Sequence, residues 1–417
     1  LHHDSLTGIR QVVVIPLCAE YPGFLQTLQD LAACDSGARE ATLVLLVVNN
    51  RTPASADAED VANNLRTLAA IEDGGVPEGL RLAWVDAARP GSELPPKDGV
   101  GLARKIGMDW ALEVLVDANG GAGGIICLDG DTRVDADYLG RFDAYFQSGR
   151  RWGAVTEYAH PVDGDDAETR AILCYEIFLR YQALSLAWAG SPFAYHTIGS
   201  AMACTAEAYA ACGGMRRKQA GEDFYFLQAL GKTGSVDYLK DIVVRPASRP
   251  SHRVPFGTGK RVRRYLAGTH DEYRLYHPES FRILREWFSM AGEDLDGVEL
   301  VARGAEIESA LGGFLEAEKF PEAWDRVRAQ HKTTAARRRQ FFLWCDGLRT
   351  LRILHYMRDT VYPDAEMFSA VGELLARLNA REVWSGGVAV REDLAGQRDL
   401  LGVLRRLESE RLGSGGL

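Results

Sequence analysis

In the first half of the chain, short apolar runs alternate with segments of helical spacing. "QVVVIPL" is apolar and β-branched and reads as a buried strand that Pro16 helps to end. "PGFLQTLQDLAAC" places apolar residues at Phe24, Leu25, Leu28 and Leu31, a helical interval. The alternation continues with strand "ATLVLLVVNN", helix "ADAEDVANNLRTLAAIED" and strand "GLRLAWVDA". Helix "GVGLARKIGMDWALEVLVDA", expected to bury Ala103, Ile106, Trp110 and Val114, and strand "GGIICLDGD" complete it. Such alternation predicts parallel strands with helices on both faces and right-handed crossovers. Ligands in such sheets bind beyond the carboxyl ends of the strands. "NN", "DA" and "DGD" stand at those ends.

After "RWGAVTEYAH" the alternation stops. A long helix, Ala167 to Trp188, leads into "SPFAYHTIGSAMAC". Helix "TAEAYAACGG" ends on Gly213 and Gly214, a C-cap signal. "GEDFYFLQALGKTG" opens another helix, and "SVDYL" with "DIVVRP" reads as a short strand pair. From about Ser280 the pattern is mainly helical, and "RRRQFFLWCDGLRTLRILHYMRD" reads as core packing of a helical hairpin. Two domains are expected, residues 1–270 and residues 271–417.

Composition narrows the function. The 417 residues are 46% hydrophobic, enough for a large core, and the formal net charge of -10 disfavours a nucleic-acid partner. Seven scattered cysteines without a CxxC pattern point to a reducing compartment, and a cytoplasmic protein is expected. No apolar run approaches the ~20 residues of a membrane span, and "LHHDS" does not read as a signal peptide. "GGAGG" precedes its strand, whereas a dinucleotide fingerprint follows one, so nicotinamide binding is rejected.

The densest chemistry lies in "CLDGDTRVDADYL". Asp135 and Asp137 fit a turn or a helix cap. A helix–loop–helix calcium loop fails, because Arg133, Val134 and Gly140 occupy its key places. Asp129 and Asp131 differ. In an extended segment, residues two apart point the same way, and Gly130 between them leaves room for a shared hard cation. Two carboxylates suit Mg²⁺ or Mn²⁺ when water and substrate phosphates complete the shell. An ordinary turn is the alternative on spacing alone.

Four further motifs stand in order around this one. "VVVIPLCAE" carries Pro16 and Glu20; "VVNN" carries Asn49 and Asn50; "GLARKIGMDWAL" carries Arg104 and Lys105; "GSAMACTAEAYAACGGMRRKQAGEDFYFLQAL" carries Glu222 and Asp223. Together, from about Gln11 to Tyr265, they resemble the family-2 glycosyltransferases of the GT-A fold. Three positions depart from that pattern: Ala19 stands where the family has Asn, Asn49-Asn50 where it has a base-reading aspartate, and Lys105 where it has Asn.

The resemblance implies an α/β, Rossmann-like GT-A fold: a mixed, mostly parallel sheet flanked by helices, with a mainly helical C-terminal region. It implies a nucleotide-diphosphate sugar donor, a UDP-sugar first, and a small-molecule, lipid or glycan acceptor. Pro16, Glu20, Asn49, Asn50, Arg104, Lys105, Asp129, Gly130 and Asp131 would bind the donor. Mn²⁺ or Mg²⁺ would sit on Asp129 and Asp131, with His252 as a candidate third ligand; a lone histidine is more often structural, and that reading stands beside it. Asp223, beside Glu222, would be the general base of an inverting transfer. A helix N-terminus lowers a carboxylate's pKa, which opposes that role, while burial against Phe224 and Tyr225 or the charge of Glu222 raises it.

The basic run Arg245, Arg249, Arg253, Lys260, Arg261, Arg263 and Arg264 is either a solvated face or, as its interleaved Pro and Gly argue, an ordered loop able to close over a diphosphate. Within it "RVRRY" resembles the family's QxxRW motif through Arg261, Arg264 and Tyr265. Tyr195 and His196 are candidates for the acceptor pocket, with a core or sheet-edge role at least as well supported. A retaining enzyme, a degenerate nucleotide-sugar-binding protein and a metal-dependent phosphohydrolase are the competing readings; homo-oligomer formation is left open.

Overall fold

The computed structural model describes residues 6–248, 257–380, 391–413 and 415–416. It divides into two compact units, Leu1–Gly164 with Thr197–Arg263, and Asp165–His196 with Arg264–Leu417.

The first unit is built on strands β1 (Gln11–Leu17), β2 (Thr42–Asn49), β3 (Arg81–Ala87), β4 (Gly124–Cys127), β5 (Gly153–Tyr158), β6 (Met202–Thr205) and β7 (Ser235–Val244). They lie in the order β7-β5-β6-β4-β1-β2-β3. β1 pairs in parallel with β2 and β4, β2 with β3, and β5 with β7. Only β6 runs antiparallel, between β4 and β5. All residues of β1 and β2 are buried, as expected of central strands covered on both faces. Helices α1 (Phe24–Ala32), α2 (Ser36–Glu40), α3 (Ala58–Glu72), α4 (Val100–Asn119) and α5 (Tyr138–Gln147) precede α6 (Ala167–Ala189), which belongs to the second unit; α7 (Ala206–Ala211) and α8 (Glu222–Thr233) return to the first. The sheet is therefore mixed and mostly parallel, with flanking helices.

Three expectations change. Helix α4 does not bury Trp110, which is 47% exposed. Its buried residues are Gly101, Ala103, Arg104, Gly107, Met108, Ala111, Val114 and Leu115, so Ala103 and Val114 are buried as expected. Gly107 rests on Val14 and Val47, where a methyl group would collide, so the helix sits closer to the sheet than large side chains would allow. "SVDYL" and "DIVVRP" form one strand, β7, whose register against β5 slips between Thr156 and Glu157. Finally, α6 falls within the region expected to be the first domain, yet it packs on helices of the second unit.

That second unit is mainly helical. Helix α9 (Thr258–Leu266) spans the division, followed by α10 (Pro278–Ser289), α11 (Gly297–Ile307), α12 (Ser309–Ala317), α13 (Phe320–Gln330), α14 (Thr334–Trp344), α15 (Gly347–Thr360), α16 (Met367–Arg377) and α17 (Leu394–Arg411). A two-stranded ladder joins β8 (Arg274–Leu275) to β9 (Ala365–Glu366). Trp287, Phe320, Trp324 and Phe341 make its aromatic core. A buried charge network ties α6 to α17: Arg180 bonds Glu176 and Glu408, and Arg405 bonds Glu176 at 2.8 Å. Among the described residues no helix is long and apolar enough to cross a membrane.

The loop after β1 stores a local strain. Ala19 has φ of 56°, a left-handed conformation that asparagine tolerates and alanine does not, and its N–H is held by Asn64 Oδ1 at 2.7 Å. Ala19→Asn is expected to raise stability by about 0.5–1 kcal/mol in urea denaturation. An unchanged or lower midpoint would contradict the backbone assignment.

Candidate active site

The site forms where three segments reach the carboxyl ends of the central strands, and one side chain joins them. Arg104, on α4, has a side chain only 4% exposed. Its Nη2 donates to Asp129 Oδ1 at 2.5 Å, its Nε to Glu222 Oε1 at 3.0 Å, and its Nη1 to the Gly199 carbonyl at 2.9 Å. Asp129 follows β4, Glu222 opens α8, and Gly199 lies in the turn before β6. Burial opposes the guanidinium charge, but Asp129 and Glu222 outweigh it and hold the pKa above its usual value.

Glycine makes these approaches feasible. A Cβ on Gly199 would overlap the Arg104 guanidinium, and one on Gly101 would strike the Lys218 backbone beside Glu222. Sequence reading missed both. Their signal was present, since glycines that open a long helix or interrupt a polar turn often mark close backbone contact.

The aspartate pair is not held as expected. β4 ends at Cys127, and Asp129 to Thr132 forms a turn closed by Thr132 N–H to Asp129 O at 3.2 Å. Strand alternation therefore cannot align Asp129 with Asp131; the turn sets their directions. Gly130 fits tightly, because a Cβ there would meet Leu17 and the Glu20 side chain, and its carbonyl accepts from Thr27 Oγ1 at 2.9 Å. Downstream, Arg133 bonds Asp30 and Arg245 bonds Asp135, clamping the loop at its far side. Asp137 pairs with Arg141 rather than capping α5 through its side chain.

Among the described residues, no group of three or more His, Cys, Asp or Glu side chains is arranged to hold a metal ion. The donor chemistry of Asp129 and Asp131 fits Mg²⁺ or Mn²⁺ only if water and a diphosphate complete the shell. Burial pushes the Cys127 thiol up to about 12, which leaves it an inert core group two residues before Asp129.

Glu222 and Asp223 begin α8, whose N-cap, Gly221, offers no side-chain cap. Glu222 is buried against Arg104. Asp223 keeps some exposure yet is ringed by protein. Desolvation and the neighbouring Glu222 charge push its pKa up to about 7, against the downward pull of the Phe224 N–H at 2.7 Å and of Arg104. Burial thus prevails over the helix terminus.

Other candidates fall elsewhere. Asn49 and Asn50 are buried. The Asn49 amide donates to the Leu17 and Val47 carbonyls, both at 3.0 Å, and ties the ends of β1 and β2 together, while Asn50 Oδ1 accepts from Asn64 on α3. Arg104, expected on the diphosphate, is instead committed to protein acceptors. Lys105 pairs with Asp109 at 2.8 Å on its own helix. Pro16 is part of buried β1, paired with Val47, and Glu20 accepts the Phe24 N–H through its carbonyl. Arg261 and Arg264 lie on α9, and Arg264 bonds the buried Glu272 at 2.6 Å. His196 is buried and bonds Glu408 at 2.6 Å within the charge network of the second unit, which favours the core role over the acceptor pocket. His252, Arg249 and Arg253 lie outside the described residues.

No protein-family model and no curated protein matches the chain. Solved structures that resemble it include S. aureus TarS 1-349 in complex with UDP-GlcNAc, at 12% identity and a TM-score of 0.39, covering 96% of this chain and 90% of that one. Mannosyltransferase PcManGT from Pyrobaculum calidifontis, in complex with GDP-Man and Mn²⁺, shares 16% identity at a TM-score of 0.35, with 96% and 87% covered. GalNAc-T7 with UDP, GalNAc and Mn²⁺ shares 12% identity at 0.36, with 85% and 58% covered. At this similarity their ligands are properties of those proteins.

Two outcomes follow from the buried charges. Arg104→Met leaves two acids facing each other without a cation and is expected to destabilise the fold by about 3–5 kcal/mol. Arg104→Lys, lacking the planar fork, should restore less than half of that in the same urea titration. A Met variant as stable as wild type would dismiss the bridge. For Asp223 the folded pKa lies above its ordinary 3.8, so the native state retains a proton that the unfolded chain loses as pH rises from 4 to 7. Its ionisation therefore lowers stability across that window. Asp223→Asn is expected to be more stable than wild type by about 1–3 kcal/mol at pH 8 and indistinguishable at pH 4. Equal differences at both pH values would refute the raised pKa.

Proposed function

We propose that the chain is a glycosyltransferase that moves a sugar from a nucleotide-diphosphate donor to a hydroxyl acceptor by one inverting displacement. The observation that supports it is the Arg104 bridge, which brings the aspartate turn after β4 together with the acidic start of α8. One end then offers hard oxygens for the donor's diphosphate side, and the other a carboxylate of near-neutral pKa for the acceptor.

In this reading the acceptor hydroxyl gives its proton to the Asp223 carboxylate as its oxygen bonds to the anomeric carbon. The bond from that carbon to the diphosphate breaks, and the nucleotide departs with the electron pair. Asp129 and Asp131 would hold a Mn²⁺ or Mg²⁺ ion, which supplies charge neutralisation for the diphosphate. Arg104 fixes Asp129 and Glu222 and excludes water from the space between them. Glu222 keeps Asp223 basic by its own charge. The committed amides of Asn49 leave recognition of the nucleoside to backbone groups or to its remaining oxygen.

The assay is nucleotide release from UDP-, GDP- and dTDP-sugars with Mn²⁺. Wild type should release nucleotide from at least one, and Asp223→Asn should lower kcat by about a hundredfold or more, as for loss of a general base. Release of inorganic phosphate instead of nucleotide would identify a phosphohydrolase. With a base of pKa about 7, kcat/KM should rise tenfold per pH unit below neutrality and level off above it. A flat profile between pH 5 and 8 would remove Asp223 from the role.

A further inference from the structure

β5 carries one more carboxylate, Glu157, toward the end of the sheet at which the Arg104 cluster lies. Along this strand Gly153, Val155 and Glu157 share a face, since side chains alternate. Helix α8 covers that face: Leu230 Cδ1 lies 3.1 Å from where a Gly153 Cβ would stand. The opposite end of α8 carries Glu222 and Asp223 and meets Arg104 at the carboxyl ends of the strands. The helix therefore runs antiparallel to β5. From Leu230 back to Glu222 it spans roughly 12 Å at 1.5 Å per residue. From Gly153 to Glu157 the strand advances roughly 13 Å. The two lengths agree, so Glu157 arrives at the level of the first turn of α8, where Asp223 sits. The register slips between Thr156 and Glu157 because residues 240–242 are extra on β7; β5 itself stays continuous, so the alternation that carries Glu157 holds to its end.

A second observation adjoins it. Ser200 lies in the turn Ile198 to Ala201, next to the Gly199 carbonyl that receives Arg104. Thr156 N–H donates to Ala201 O at 3.0 Å, which fixes this turn against the end of β5. Ser200 is 1% exposed, and its hydroxyl has no hydrogen-bond partner among the described residues. A buried hydroxyl left unsatisfied costs about 1–3 kcal/mol, so its retention points to a group supplied from outside the chain.

We propose that Glu157 and Ser200 form the acceptor-binding floor and recognise neighbouring hydroxyls of a polyol or sugar. The assignment rests on the transferase reading above. The carboxylate accepts hydrogen bonds from acceptor hydroxyls, and the serine completes its own bonding only with a ligand that both donates and accepts. Asp223 then takes the proton of the hydroxyl that attacks. This chemistry favours a polyhydroxylated acceptor over an apolar alcohol.

The test uses the full chain with Mn²⁺ and the nucleotide sugar it turns over, with glycerol and methyl glucoside as probes. The readout is the ratio of glycosylated probe to free sugar. Glu157→Gln and Ser200→Ala should each lower that ratio about tenfold or more through the probe's KM. Ser200→Ala should keep or raise the melting temperature, because it deletes an unsatisfied group; a merely structural serine would move melting and not the ratio. An unchanged ratio in both variants overturns the assignment, as does donor hydrolysis with neither probe glycosylated; both leave the transferase reading intact. A wild type that consumes no donor at all removes that reading and this assignment with it.

Discussion

A guanidinium held away from water must find its counter-charges within the fold, and Arg104 finds them on two segments that are remote in sequence. Asp129 is 25 residues away, and Glu222 is 118. Losing both acids would leave a buried charge uncompensated, at an energy comparable to the stability of a whole domain, and moving either one leaves a buried guanidinium N–H without its acceptor. The bridge therefore constrains both the turn after β4 and the start of α8. The Gly199 carbonyl takes a third donor and brings in the turn that leads to β6. None of these segments has a regular hydrogen-bond ladder at this point; an ion pair takes its place.

Much of the architecture was legible because it depends on apolar periodicity. The strands β1, β2 and β4 are nearly unbroken apolar runs, and buried parallel strands require that pattern. Helix α4 was legible as a helix but only partly in its buried face. A search for large apolar side chains selects Trp110, whereas the contact with the sheet is made by Gly107, Ala103 and Ala111. Hydrophobicity ranks residues by size, and close helix–sheet packing favours the smallest. The allegiance of α6 was hidden for another reason: periodicity shows that a helix is buried but not which unit buries it.

The site was legible as residue types and less so as geometry. The acids Asp129, Glu222 and Asp223 were identified, and the structure brings them together around Arg104. The orientation argument for Asp129 and Asp131 assumed an extended chain, and the backbone turns there instead. Polar residues were harder still. Asn49, Lys105 and Arg264 have the chemistry of ligand-binding groups, but their donors go to Leu17, Asp109 and Glu272. A sequence shows that a side chain is able to bond; only the fold shows which partner has already taken it.

The same constraint explains how an acid at a helix start comes to hold a proton near neutrality. An exposed carboxylate at the N-terminus of α8 would be stabilised as an anion by the helix dipole and by the Phe224 N–H. Arg104 adds to that effect, although its direct bonds go to Asp129 and Glu222. Burial and the negative charge of Glu222 outweigh both and favour the protonated form. The bridge that assembles the site thus also holds Glu222 beside Asp223 and commits the guanidinium's own bonds to other acids. Assembly and basicity follow from one arrangement, and its thermodynamic consequence is a fold that loses stability as Asp223 ionises.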